Sequence, residues 1–395
     1  MLHSMMLFSA DEYRQRSDRA CKLMAEQGLD AILVSASNNL IYISGYRTNL
    51  FDSNFRPFLA LIPADGEPTL ILPNLEKGVG EQTSWIDDLR VWGPDLGNPL
   101  TSGMITGDGV SAAAAVIKER NLHQARIGIE IGFGQRLGMS GQEFDQLQGL
   151  LPEVEWKDST PLFWRLRAVK SPKEIEYLRR ASEITDKGYE RVLEVAREGA
   201  TERELQGVMG ATFLQEGSDY RGFIIVNSGV ERYKMMNPYA TDRALKRGDM
   251  CTFDFGAVYN GYWSDLTRSF FVGEPSTRQR EFYEAAAMAS ETTAKAVRPG
   301  MMWEEVDRVA ESFLVDRGYK GNMLHRTGHS IGLEVHEMPT ISLGDKTVIE
   351  PGMVVAIEPG IYDFEIGGFR MEDICVVTEK GVEYLSNCRR ELTVV

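Results

Sequence analysis

The sequence predicts an α/β protein, of the mixed α+β kind, with a smaller N-terminal domain and a larger second domain made of two similar halves. Three observations carry that expectation. Short apolar runs alternate with turn signals and helical stretches through the first part of the chain. A capped helix start at SPKE, residues 171–174, marks a boundary. Beyond it, one segment recurs weakly about a hundred residues later.

Ser9 and Glu12 have capping-box spacing ahead of a helix whose apolar face holds Ala20, Leu23 and Met24, and Gly28 closes it. AILVS (31–35) has the composition of a buried strand, and FLALI (58–62) and TLILP (69–73) follow in the same style, with a helical stretch near 110–120. The glycine string GFGQRLG (132–138) departs from G-x-G-x-x-G, so no dinucleotide site is expected there. At SPKE, Ser171 can cap, Pro172 suits the first helical turn and Glu174 can close the box. Ile175, Leu178, Ala181, Thr185, Tyr189, Val192 and Ala196 then form a helical stripe. The domains are therefore drawn as 1–165 and 166–395. GATERELQGVMGATFLQEG (199–217) and GMMWEEVDRVAESFLVDRG (300–318) share a leading glycine, an acidic amphipathic helix, Phe-Leu and a closing glycine. They suggest a pseudo-symmetric domain with a site between its halves, although unrelated amphipathic helices would look the same.

Composition bounds the function. The 395 residues allow two or three domains, and 43% apolar with 26% charged residues is ordinary for a globular protein. A net charge of −15 leaves no basic surplus for a nucleic-acid partner. No apolar run is long enough to span a membrane. MLHSMMLFSADEYRQR has no basic segment followed by a sufficient apolar stretch, so no signal peptide is expected. The four cysteines are scattered without C-x-x-C spacing, as in a thiol-reducing compartment, and a cytoplasmic location follows.

Three of the five histidines lie in HRTGHSIGLEVHE, residues 325–337. A helical zinc motif fails here, because Arg326 stands where a glutamate should be and Gly328 and Gly332 are poor helix residues. Partners must come from elsewhere. MCTFDFGAVYNGYWSDLTRSFFVG (250–273) is a strong hairpin, with Asn260-Gly261 suited to a type I′ turn. That turn pairs Tyr259 with Tyr262 and Asp254 with Thr267, which sets Asp254 and Asp265 diagonally on one face. The flanking aromatics suggest burial, and two buried carboxylates with no visible cation partner want a metal. A second hairpin is expected in 353–381: Glu358 ends an apolar strand, Gly367-Gly368 makes the turn, and Arg370 and Glu372 share a face of the return strand. With His329 the set is Asp254, Asp265, His329, Glu358 and Glu372, whose formal charge of about −4 would neutralise two divalent cations. Oxygen-rich ligation favours manganese, with cobalt, zinc or iron as alternatives.

The DFG with a second aspartate in GYWSDLTRSF, then HRTGH, VHE, IEPGIY and RMED, together resemble the creatinase/prolidase/aminopeptidase P family. The resemblance covers most of the chain and implies a creatinase-like N-terminal domain, a pita-bread catalytic domain and a homodimer. It implies that Asp254 chelates one metal, that Asp265 and Glu372 bridge, and that His329 and Glu358 hold the other. Glu358 would also move a proton to or from a bridging water, His325 and His336 would contact substrate or stabilise the transition state, and Arg370 would orient the Asp254 side. In TNLFDSNFRPF (48–58), Phe51 and Arg56 would select substrate in the partner's site, although an ordinary loop arginine fits equally well. One position departs from the family pattern: Asn237 stands where prolidases and aminopeptidases P carry a histidine. The expected function is a dinuclear metal-dependent hydrolase of small C–N-bonded substrates, most simply an Xaa-Pro dipeptidase or aminopeptidase. A creatinase-like amidinohydrolase, a dimethylsulfoniopropionate lyase-like enzyme and a non-catalytic binding protein are the alternatives.

Overall fold

The computed structural model describes residues 5–53, 55–94 and 104–395. The first four residues of the stretch read as lacking a leader, and Asn54 of the 48–58 segment, lie outside the described residues. The chain divides into two compact units, Met1–Leu166 and Arg167–Val395.

In the N-terminal unit, α1 (Ala10–Gln27) starts at Ser9, whose hydroxyl accepts from the Glu12 amide, and stops at Gly28 in the left-handed region. The following elements are β1 (Ala31–Val34), α2 (Ser37–Ser44), β2 (Leu59–Pro63), β3 (Thr69–Pro73), α3 (Lys77–Thr83), β4 (Asp88–Gly93) and β5 (Ile105–Thr106). Next come α4 (Gly109–Glu119), β6 (Arg126–Ile129), α5 (Gly141–Leu150), β7 (Glu155–Asp158) and α6 (Thr160–Ala168). The strands form one sheet in the order β5-β4-β3-β2-β1-β6-β7, antiparallel only at β1/β2 and β2/β3. Val110, Ala113 and Ile117 of α4 and Leu147 of α5 pack on it with Ile71 and Ile127. The glycine string after β6 serves packing: a Cβ on Gly138 would lie 1.9 Å from the Ser35 carbonyl oxygen. The expected α/β class holds.

The second unit opens with α7 (Pro172–Val195), in which Ser171 and Glu174 complete the capping box with Pro172 in the first turn. It continues with α8 (Glu202–Gln215), β8 (Phe223–Ser228), β9 (Met250–Gly256), β10 (Val258–Tyr259), β11 (Tyr262–Trp263) and β12 (Leu266–Phe271). The other half contains α9 (Thr277–Ala296), α10 (Trp303–Val315), β13 (Gly328–Ser330), β14 (Glu337–Ile341), β15 (Val354–Ile357), β16 (Gly360–Asp363), β17 (Gly367–Arg370), β18 (Asp373–Thr378), β19 (Gly381–Tyr384) and β20 (Thr393–Val394). Two larger sheets result, β20-β12-β9-β8 and β14-β13-β15-β18-β19, beside the two-stranded pairs β10-β11 and β16-β17. Tyr189 of α7 and Phe213 of α8 pack on Phe253 and Phe255 of the first, while Ala294 of α9 and Trp303 and Val306 of α10 pack on Val355 and Ile357 of the second.

The weak repeat is structural. Gly199 and Gly300, with φ of +85° and +88°, donate their amides to Leu245 O at 2.8 Å and Ile349 O at 2.9 Å. Thr201 then bridges to Ala244 as Met302 does to Val348. Both halves therefore start their helix pair from the same glycine-anchored corner.

The hairpins meet their expectations differently. Tyr259 pairs with Tyr262 and Asp254 with Thr267, while Asn260 and Gly261 take φ of +53° and +83°, as a type I′ turn needs. In the second hairpin the turn is not at Gly367-Gly368. Asp363 pairs with Gly367, so 364–366 form the loop. Asp363 closes it by accepting the Glu365 amide on Oδ1 and the Ile366 amide on its carbonyl, each at 3.0 Å. The two glycines are needed for closeness instead: a Cβ would lie 2.5 Å from Met250 Cε at Gly367 and 2.7 Å from the Tyr362 ring at Gly368.

Candidate metal centre

The two sheets of the second unit meet where Thr267, on β12, bridges to Glu372, just before β18. Buried Arg268 clamps this junction, donating to the carbonyls of Thr267 at 2.9 Å and Glu372 at 2.6 Å and to the Asp373 carboxylate. Asp254 comes to the junction from β9, His329 from β13, Glu358 from the end of β15 and Arg370 from the end of β17.

All five proposed ligands line one cleft of about 830 Å³, together with Asn237, His325, His336 and Arg370. Single ligand atoms of Asp265, His329 and Glu372 lie within 4.8 Å of one another. Phe223, Ile225, Trp263 and Val335 give the cleft an apolar wall. Phe51 and Arg56 belong to the N-terminal unit. Phe51 packs edge-on against Tyr46 and Phe58 with ring centroids 5.5 and 5.4 Å away, and the Arg56 guanidinium lies 5.0 Å from the Phe55 ring.

The geometry calls for a cation. His329 Nδ1 is 3.0 Å from the Ser330 carbonyl, which can only accept, so Nδ1 carries the proton. Its Nε2 lone pair therefore faces Asp265 Oδ2 at 3.6 Å and Glu358 Oε1 at 3.5 Å. Protonation of the imidazole does not resolve this opposition, because burial first and then His336 lower the His329 pKa to about 3. Asp265 Oδ1 is buried with no hydrogen-bond partner among the described residues. Burial, then Glu372, Asp254 and Glu358, push the Asp265 carboxyl well above the carboxylate range, and burial followed by Glu358 does the same to Glu372. Lone pairs converging in a buried space fit divalent metals bound by oxygen and imidazole.

Around this set the side chains are held in place. Arg370 donates to Asp254, to Thr267 Oγ1 at 2.9 Å and to Tyr362 Oη at 3.2 Å, and Thr267 in turn donates to Glu372 at 2.6 Å. His325 has both ring nitrogens engaged, Nδ1 with the Arg326 carbonyl and Nε2 with Tyr362 Oη, each at 2.7 Å. His336 is exposed, its ring centroid 4.3 Å from that of His329. Behind His329, buried Lys170 donates to Ser330 Oγ at 3.0 Å and to Glu337 at 3.2 Å, and Glu337 also binds Arg167. Thr267, Tyr362, Arg268 and the Lys170–Glu337 pair escaped the reading of the sequence. Thr267, Arg268 and Tyr362 stand inside the DLTRSF and IEPGIY strings, so the motifs contained them without revealing their roles.

Residues 176–379 match metallopeptidase family M24, and residues 16–169 match the creatinase/prolidase N-terminal domain. The chain belongs to metallopeptidase family M24. Similar proteins extend over nearly its whole length. It is 31% identical to the Xaa-Pro dipeptidase of Pyrococcus furiosus, over 96% of this chain and 99% of that one. It is 33% identical to the probable dipeptidase PepE of Mycobacterium bovis, over 98% of each. Among solved structures, the prolidase of Thermococcus sibiricus superposes with a TM-score of 0.85 at 30% identity, over 97% of this chain and 99% of that one.

Proposed function

We propose that this M24 protein is a metal-dependent hydrolase of small C–N-bonded substrates, most simply a dipeptidase acting on Xaa-Pro or related dipeptides. The observation that supports it most is the His329 lone pair set against two carboxylates beside an unpartnered Asp265 oxygen. Asp254, Asp265, His329, Glu358 and Glu372 would hold two divalent cations, manganese first, with cobalt, zinc or iron as alternatives. When bound, such cations supply Lewis acidity and a water acidic enough to attack at neutral pH.

The chain's own residues do the rest. In the metal-free protein the Glu358 carboxyl is pushed up to about 7: burial raises it, Arg370 pulls it back and Asp254 adds to the rise. As a carboxylate at the edge of the metal cluster, Glu358 can take a proton from water and return it to a leaving nitrogen. His336 offers its imidazole to the substrate carbonyl in the cleft. His325, whose ring is held by the Arg326 carbonyl and by Tyr362 Oη, is assigned to substrate contact or transition-state stabilisation. Arg370 holds Asp254 in place through its ion pair. Phe51 and Arg56 are assigned to substrate selection in a homodimer, and four free cysteines support a cytoplasmic setting. No helix among the described residues is long and apolar enough to cross a membrane.

Asn237 favours a second reading on the same scaffold. An amide in the cleft donates only a neutral hydrogen bond, which suits a specialised small molecule better than an Xaa-Pro dipeptide. One panel decides between the two. The manganese-loaded protein is offered Xaa-Pro dipeptides, other dipeptides, creatine and dimethylsulfoniopropionate, with products followed by mass spectrometry. Metal-dependent cleavage of a dipeptide supports the hydrolase reading, and absence of C–N cleavage across the panel contradicts it.

A further inference from the structure

Met236 and Asn237 reach the cleft on residues 229–240, part of the connection from β8 to β9 that forms neither helix nor strand. Val230, Met235 and Tyr239 of this loop are exposed, so packing alone does not fix it. The tie is Glu202, in the first turn of α8 and fully buried. At the loop's start its Oε1 accepts from the Ser228 amide at 3.0 Å and the Ser228 hydroxyl at 2.7 Å. At the loop's end its Oε2 accepts from the Thr241 amide at 3.0 Å and the Thr241 hydroxyl at 2.8 Å. Arg232 Nε lies 3.0 Å from Oε1, and Arg232 also donates across the loop to the Tyr239 carbonyl at 2.8 Å.

One carboxylate thus closes both ends, with one oxygen assigned to each. The pattern needs a carboxylate, because an amide of the same shape accepts on one atom and donates on the other. The first part of the loop has supports of its own: Asn227 donates to the Met235 carbonyl at 2.6 Å, and Tyr233 Oη accepts from the Met250 amide at 2.8 Å. Met236 and Asn237 have no hydrogen bond of their own among the described residues. Their place in the wall depends on the stretch from Met235 to Thr241, which is held by the Arg232–Tyr239 bond and by Thr241. Both of those ties lead back to Glu202.

We propose that Glu202 is a positioning residue for the cleft: by clasping both ends of the 229–240 loop it fixes Asn237 in the wall, so that substrate selection is controlled from the start of α8, a helix that lends no residue to the cleft lining. The hydrogen bonds of Glu202 go to the loop and to none of the five metal-binding side chains. Loss of the clasp therefore separates selection from metal binding. The effect on catalysis rests on the hydrolase reading above, whereas the effect on the loop does not.

Glu202→Gln keeps the size and leaves one end of the loop without its acceptor. Thr241→Val removes a single hydroxyl and serves as the milder variant should the first fail to fold. In hydrogen–deuterium exchange of the manganese-loaded proteins, peptides within 229–241 should exchange at least ~10-fold faster in Glu202→Gln, as expected for losing a hydrogen bond to a charged group. Peptides of β12, β13 and β15 and the metal count should match wild type. Function is read from a double-mutant cycle on Leu-Pro. Glu202→Gln should raise KM roughly 10-fold with kcat and its pH profile little changed, and Thr241→Val should shift KM in the same direction by less. In an Asn237→Ala background Glu202→Gln should cost under ~2-fold, because the residue it acts through is gone. Unchanged exchange in the loop overturns the proposal, and so do losses that simply add or a metal count that falls with the loop. If Leu-Pro binds without being cleaved, the same cycle is read from its Kd by calorimetry. Non-additive losses there uphold the clasp while the hydrolase reading fails for this probe, and additive ones overturn the clasp.

Discussion

Replacing Asp265 by asparagine should make the protein more stable without metal and less stable with it. Asp265 is 4% exposed, its Oδ1 is unpartnered, and its ligand atom lies within 4.8 Å of those of His329 and Glu372. Asparagine keeps the shape and removes the charge. Two unit charges at that distance repel by about 3.5 kcal/mol at an effective dielectric constant of ~20. That is the upper limit of the gain, reached only where both carboxylates are ionised. Because burial and the neighbouring carboxylates raise the Asp265 pKa, the metal-free wild type escapes the repulsion at low pH by staying protonated. The difference should be small at pH 6 and grow toward pH 9. At about 2–4 °C per kcal/mol, the mutant's melting temperature in EDTA at pH 9 should exceed that of wild type by roughly 5–10 °C. Manganese should reverse the order, since saturation a thousandfold above Kd contributes about 4 kcal/mol to a protein that binds it. Activity should fall at least ~100-fold, as losing even an outer-shell partner costs 10–100-fold. Differential scanning fluorimetry with EDTA and with manganese at both pH values makes the measurement. A mutant less stable than wild type in EDTA at pH 9, or equal stabilisation of both proteins by manganese, would refute the reasoning.

Three further outcomes are expected. The Glu358 pKa is raised to about 7 in the metal-free fold, so its contribution to stability is full below the ordinary carboxylate range and lost as pH rises through about 7. The melting temperature in EDTA should therefore fall between about pH 5 and pH 7 on account of this group, and metal uptake at pH 6.5 should release protons, visible as buffer-dependent heats in calorimetry. Glu337→Gln leaves Arg167 and Lys170 buried without their shared carboxylate and should cost about 3–5 kcal/mol in urea unfolding; an unchanged midpoint would mean the network is dispensable. Asn237→His should raise kcat/KM on Leu-Pro, with about 10²-fold as the lower end of general acid help, whereas a fall on every substrate would make Asn237 a required contact itself.

Much of the fold was legible because local chemistry and tertiary packing agree. Asn260-Gly261 specifies a turn that only residues tolerant of positive φ can make, and it fixes the register placing Asp254 beside Thr267. Ser171, Pro172 and Glu174 define a helix start by short-range bonding alone. Gly367-Gly368 misled because two glycines look the same whether they serve a turn or a close approach. Only the folded positions of Met250, distant in sequence, and of Tyr362, across the hairpin, distinguish the two cases. The ligand set could be assembled from motifs, whereas the groups that aim it could not. Arg268, Lys170 and Glu337 act through partners a hundred or more positions away, and a lysine or glutamate in a polar string is ordinarily a solvated one. Arg326 was visible only as the residue that spoiled a helical zinc motif.

The most direct test of the central claim is a metal count. The purified chain is stripped with chelator, reloaded with manganese, freed of excess metal and analysed by inductively coupled plasma mass spectrometry, with activity on its best substrate followed in parallel. Two equivalents per chain, with activity lost on chelation and restored on reloading, is the predicted result. Less than one equivalent after reloading, or activity indifferent to chelation, would contradict the assignment of Asp254, Asp265, His329, Glu358 and Glu372 as a dinuclear site.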